Sequence, residues 1–281
     1  MATYAVEVDH LTYKFPHEEK AALTDISLQI PWHTRTLLIG TNGAGKSTIL
    51  KLLSGKHLCL NGRIRVNGLD PFNPTSMSRQ RGMTLDDEGK EITEDINITT
   101  YLGTEWCHMS IIDRDIGVLE LLESVGLKHF QERGDRLCKI LEIDTNWRMH
   151  RLSDGQKRRV QLVMGLLKPW RVLLLDEVTV DLDVIARSRL LEFLKQETEV
   201  RRCSVIYATH IFDGLAQWPD RIIHIKDGRL LEDIDYNTDI QFVNEPEADT
   251  NGEVKFDGKL VQISRVNSLH PLALTWLTRD N

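Results

Sequence analysis

The octet Gly40-Thr41-Asn42-Gly43-Ala44-Gly45-Lys46-Ser47 constrains this chain more than any other stretch. It satisfies the phosphate-loop pattern G-x-x-x-x-G-K-[ST] at every fixed position. Ahead of it the apolar run Arg35-Thr36-Leu37-Leu38-Ile39 predicts a buried strand. Behind it Thr48-Ile49-Leu50-Lys51-Leu52-Leu53-Ser54 has helical spacing and stops at Gly55. Strand, glycine turn and helix in that order let backbone N–H groups curl around a phosphate chain, and the helix start adds a fixed positive potential. Lys46 supplies the point charge for β- and γ-phosphates, and the Ser47 hydroxyl is the expected Mg²⁺ ligand, with Thr48 in the first helical turn.

Further along, Arg171-Val172-Leu173-Leu174-Leu175 reads as a second buried strand and ends in Asp176-Glu177. A helix over 184–199 follows, then a strand over 204–208 ending at Thr209-His210. Strand, helix and strand imply a parallel sheet with right-handed crossovers. Ligands of such sheets bind at the carboxyl ends of the strands, where all three features fall. Asp176 at a strand tip can hold Mg²⁺ directly or through water. Glu177, pointing to the other side of the chain, can orient a water for in-line attack on a γ-phosphate. His210 can donate a hydrogen bond to that phosphate and so sense ATP against ADP.

Leu152-Ser153-Asp154-Gly155-Gln156 introduces a helix over 157–167. Ser153 or Asp154 can cap its first turn. A serine hydroxyl with helix-terminal amides is also an anion site, and the two readings are compatible. The chain offers no other phosphate for it, so the anion reading implies the nucleotide of a second molecule.

The rest of the chain frames these motifs. Strands are predicted over 4–8, 26–30 and 63–66, the last between the turns Asn61-Gly62 and Asn67-Gly68, giving an antiparallel layer. Residues 70–97 are polar and weakly patterned and read as a loop, and 110–168 as a helical insertion. A hairpin turns at Asp227-Gly228, 244–252 read as a linker, a second hairpin turns at Asp257-Gly258, and a short helix has Pro271 near its start. The net charge of −7 argues against broad electrostatic contact with nucleic acid. Lys157-Arg158-Arg159 reads as the solvated face of a helix. Four scattered cysteines predict a reducing, intracellular compartment. No apolar run approaches the ~20 residues that span a bilayer, so no membrane insertion is expected.

The order of phosphate loop, Leu-Ser-x-Gly-Gln, apolar strand with Asp-Glu, and Ala-Thr-His resembles the ATP-binding cassette (ABC) ATPases over residues 2 to about 232. The resemblance implies an α/β nucleotide-binding domain over 1–232. It has a RecA-like parallel sheet core, an antiparallel β subdomain and a helical subdomain at about 99–168. A hairpin-and-helix extension follows over 233–281. It implies Mg²⁺-dependent ATP hydrolysis in a homodimer. Each ATP lies between one chain's loop and the other's Ser153-Asp154-Gly155-Gln156, with Phe15 stacked on adenine and Asp183 at the dimer contact. Two departures stand out. Asp154 replaces the second signature glycine, and Thr104 or Glu105 stands where the family has a glutamine that touches Mg²⁺ and relays to a membrane partner. The chain is therefore similar to soluble stand-alone eukaryotic members of the family associated with the Not complex of transcription and mRNA regulation. The implied setting is cytoplasmic, with the nucleus as a second location. Two other functions compete with this one: the ATP-binding subunit of a separately encoded transporter, and a scaffold that binds ATP without turnover.

Overall fold

Alternation of apolar residues along buried strands divides this fold into two layers around one sheet. The computed structural model describes residues 2–73, 80–85, 91–104, 114–212, 214–243, 254–257, 260–264 and 269–280. β1 (Val6–Tyr13), β2 (Leu23–Ile30) and β4 (Arg63–Val66) form an antiparallel sheet in the order β2-β1-β4. The main sheet adds β3 (Arg35–Ile39), β5 (Gln80–Leu85), β6 (Glu91–Leu102), β7 (Trp170–Asp176), β8 (Ser204–Ala208), β9 (Arg221–Lys226) and β10 (Arg229–Asp235). Its order is β10-β9-β3-β8-β7-β6-β5, parallel from β9 to β6 and antiparallel at both edges.

Successive side chains on a strand point to opposite faces. Leu37, Ile39, Leu173, Leu175, Val205, Tyr207 and Ile222 share one core. Leu38, Val172, Leu174, Ile206, Ala208 and Ile223 belong to the other. The first face is covered by α2 (Val118–Ser124), α3 (Gln131–Ile140), α4 (Asp154–Leu166) and α5 (Val184–Val200). The second is covered by α1 (Lys46–Leu53) and the antiparallel sheet. The phosphate-loop helix and the helix that starts at Ser153 thus lie on opposite faces.

The expected loop over 70–97 is corrected: β5 and β6 pair as a hairpin inside it. Residues 99–102, grouped with the helices in the sequence, are the end of β6, paired in register with β7. Ile96, Ile98 and Leu102 are buried there, and pairing with a neighbour remote in sequence overrides weak local pattern. The basic run is also not a solvated face. Arg158 is 2% exposed and donates to the Gly103 carbonyl, while Arg159 pairs with Asp183 at 2.5 Å.

Beyond β10 come α6 (Tyr236–Asp239), β11 (Ile240–Val243), β12 (Val254–Asp257), β13 (Leu260–Ser264) and α7 (His270–Asp280). β12 and β13 make the expected hairpin, with β11 parallel to β13. Leu272, Ala273 and Trp276 of α7 are fully buried in the first core. His224 of β9 stacks on Trp276, 4.8 Å between ring centres, with Glu232 and Asp280 at its two ring nitrogens. The predicted linker over 244–252 lies outside the described residues.

Candidate active site

Register carries the site. Leu38 and Asp176 both stand opposite Ala208, so the ends of β3, β7 and β8 bring the loop, the Asp-Glu pair and His210 to one edge. The loop needs glycine where it turns into α1. Gly45 has φ +109°, and a Cβ there would meet the Leu23 side chain at 2.7 Å. A Cβ on Gly40 would lie 2.3 Å from the Ile225 carbonyl oxygen of β9. Between them Thr41, Asn42, Gly43 and Ala44 form the arc, pinned by the Gly228 N–H donating to the Ala44 carbonyl at 2.9 Å.

Lys46 is 6% exposed and donates to the carbonyls of Gly40 at 2.7 Å and Thr41 at 3.0 Å. Burial lowers its pKa, opposed by the Glu177 and Asp176 carboxylates. Ser47 Oγ donates to Asp176 Oδ1 at 2.9 Å, and Tyr101 Oη donates to Oδ2 at 2.9 Å. Burial nonetheless pushes the Asp176 carboxyl above the usual carboxylate range. Thr48 continues the first turn of α1, half-buried.

Glu177 takes the left-handed backbone, φ +55°, and its N–H donates to the Ala208 carbonyl at 2.9 Å. Its carboxylate lies 3.5 Å from His210 Nδ1. Just beyond, Thr179 and Tyr207 are joined through their hydroxyls, which anchors the segment after Glu177 to β8.

Ser153 is the N-cap of α4, and both halves of a capping box form. The Gln156 N–H donates to Ser153 Oγ at 3.3 Å, and the Ser153 N–H donates to Gln156 Oε1 at 3.0 Å. Asp154 occupies the first helical turn, exposed, with Gly155 and Gln156 after it. Between Ser153 and Asp154 as capping residues, the serine does it. Asp183 caps α5 instead, accepting from Ile185 and Ala186 N–H groups, which hold its carboxyl low. Phe15 sits half-buried, edge-on to Tyr13 at 5.0 Å and to His57 at 5.6 Å. Met149 is buried in the helical core and Trp147 packs against it. Glu105, the alternative to Thr104 at the glutamine position, lies outside the described residues.

Sequence reading assigned no role to Tyr101. Only the pairing of Leu102 with Leu175 brings it beside Asp176, and nothing local announces that register. Ser47 and Asp176 form a hard-oxygen pair suited to Mg²⁺, which keeps waters and substrate phosphates as its other ligands. The lowered Lys46 and raised Asp176 have one leading cause, removal from water. Among the described residues no helix is long and apolar enough to cross a membrane.

Comparison with known proteins agrees with this geometry. The family model described as "ABC transporter" matches residues 23–180. The chain is 66% identical to CCR4-associated factor 16 of Saccharomyces cerevisiae over 100% of this chain and 96% of the relative. It is 41% identical to ABC transporter I family member 20 of Arabidopsis thaliana over 80% of this chain and 68% of the relative. In fold it is similar to the dimeric post-hydrolysis state of the ATP-binding cassette MJ0796 bound to ADP and Pi. That match has a TM-score of 0.61 and 22% identity, over 82% of this chain and 98% of that one. It is likewise similar to cbiO1 of Clostridium perfringens, part of the ABC transporter complex cbiONQ, with TM-score 0.62 and 23% identity over 83% and 88%. With the matched family model spanning its phosphate loop and Asp-Glu strand, the chain belongs to the ABC transporter family and is an ATPase of that family.

Proposed function

We propose that two copies of this chain bind two Mg-ATP between them, each supplying one half of both sites, and that hydrolysis reopens the pair to switch a protein assembly. The observation that supports this is the separation of the half-sites. Lys46, Ser47, Asp176, Glu177 and His210 gather at one sheet edge, while Ser153 caps a helix packed in the opposite layer. Ser153 and Gly155 then meet the nucleotide held by the partner's loop.

Within one half-site, Lys46 leaves its loop carbonyls for the β- and γ-phosphates, and Phe15 covers the adenine. Ser47 and Asp176 would hold Mg²⁺, which would supply charge neutralisation for the phosphates. Glu177 orients the attacking water and takes its proton, and His210, beside it, contacts the γ-phosphate.

Complementation tests the composite site. Lys46→Ala and Ser153→Arg chains each lack hydrolysis alone, and mixing them restores it, because one site of the mixed pair is intact. A mixture as inactive as its components, while a physical dimer forms, overturns the reading.

For the partner we infer a cytosolic or nuclear assembly, the Not complex. Its support is the resemblance given above, the yeast relative's being a CCR4-associated factor, and Thr104 or Glu105 in place of the glutamine that relays to a membrane partner. A second reading, the ATP-binding subunit of a transporter, is favoured by 30% identity over 83% of this chain to the energy-coupling factor transporter ATP-binding protein EcfA1 of Levilactobacillus brevis. Affinity purification of a Glu177→Gln chain with ATP separates them by what comes with it, a polytopic membrane protein or a deadenylase assembly.

A further inference from the structure

Asp176 is held on both of its oxygens, and only one of the two donors belongs to the phosphate loop. Ser47 takes Oδ1, and the phenol of Tyr101 takes Oδ2, each at 2.9 Å. Tyr101 stands near the end of β6, opposite Leu174, on the strand beside the one that delivers Asp176.

The ring lies back over Gly103. A Cβ on Gly103 would come within 2.6 Å of Tyr101 Oη and 2.9 Å of its Cε1 and Cζ, so a side chain at residue 103 would push the phenol from this position. Gly103 is itself gripped. Arg158 Nη1 donates to its carbonyl at 2.8 Å and Gln161 Nε2 at 3.0 Å. Both side chains are buried on α4, the helix capped by Ser153, and Arg158 Nε lies 3.6 Å from Asp181 Oδ2. A chain of contacts therefore runs from the serine-capped helix through Gly103 and Tyr101 to Asp176.

We propose that Tyr101 is a positioning residue that fixes the Asp176 carboxylate for the divalent cation, and that Arg158 and Gln161 set the Tyr101 ring through Gly103. The inference rests on reading Asp176 as the cation's ligand. When the Ser47 hydroxyl turns to a cation, the phenol is the donor left holding the carboxylate. Without it, the carboxylate regains rotational freedom that binding must remove again. Hydrogen-bonding partners behind a metal ligand are worth about 10- to 100-fold in metal affinity.

The test titrates Mn²⁺ into the full chain with a slowly hydrolysed ATP analogue and reads free Mn²⁺ by electron paramagnetic resonance. A fluorescent analogue in EDTA reports metal-free nucleotide binding. Tyr101→Phe is expected to raise the Mn²⁺ half-saturation about tenfold while leaving the metal-free binding in place. Gly103→Ala keeps the phenol, displaces the ring, and shifts the half-saturation in the same direction. A Tyr101→Phe half-saturation within about twofold of the parent, well short of what such partners contribute, overturns the proposal if Asp176→Asn abolishes Mn²⁺ binding. If Asp176→Asn leaves Mn²⁺ binding intact, the cation reading of Asp176 falls and the proposal with it. Should Tyr101→Phe not fold, Gly103→Ala decides: an unchanged half-saturation overturns.

Discussion

His210 Nδ1 lies 3.5 Å from a carboxylate oxygen of Glu177, across the ends of two neighbouring parallel strands. Both groups remain open to solvent, and Glu177 is held in a left-handed backbone conformation. A base must reach a water in line with the γ-phosphate, and solvent reaches both side chains here. Glu177→Gln is expected to lower hydrolysis by at least about 100-fold. It also accumulates an ATP-dependent dimer on a sizing column. A variant that stays monomeric at saturating ATP contradicts the clasped pair.

Asp176 carries the pH prediction. Burial raises its folded-state pKa above the unfolded value. The stability this group contributes is thus fully present below the ordinary carboxylate range and is lost as pH rises through the folded value. Asp176→Asn removes the charge and is expected to melt above the parent near neutral pH without nucleotide. The gap closes as pH falls to about 4. Mg-ATP reverses the order, because the variant lacks the cation's ligand. A variant that melts below the parent at neutral pH refutes the buried-charge account.

Asp154 sits exposed in the first turn of α4, where a carboxylate suits the helix terminus; in the closed dimer proposed above it would approach the partner's γ-phosphate. Asp154→Gly is expected to melt slightly lower and turn over faster, by about tenfold for a repulsion of about 1.4 kcal/mol. Steady-state phosphate release checks this, and an unchanged or lower rate counts against it.

Trp276 is fully buried, its ring parallel to that of His224. Trp276→Ala is expected to cost about 3–5 kcal/mol of stability, read by urea unfolding of the full chain. A loss below about 1 kcal/mol, typical of surface positions, means α7 does not belong to the core.

The parts legible in the sequence were those whose cause is local. Strands at 35–39, 63–66 and 204–208 lie where apolar runs meet turn residues, with the bounds expected. The octet, Ser153 and the Asp-Glu pair were legible because their chemistry requires fixed residue types at fixed spacing. The parts that escaped depend on distant neighbours. β6 has acidic and polar residues along much of its length, and its existence rests on pairing with β7. Arg158 looked like one cation of a solvated run, and only the fold supplies the Gly103 carbonyl that buries it. Tyr101 became meaningful once register set it against Asp176.

β9 has two tenants. Its Ile225 carbonyl is the surface against which Gly40 is pressed, and its His224, one residue earlier, grips the final helix. The fringe of the chain and the mouth of the triphosphate pocket thus lean on a single strip of backbone, six residues long. Loosening the last helix is therefore expected to weaken nucleotide binding through β9.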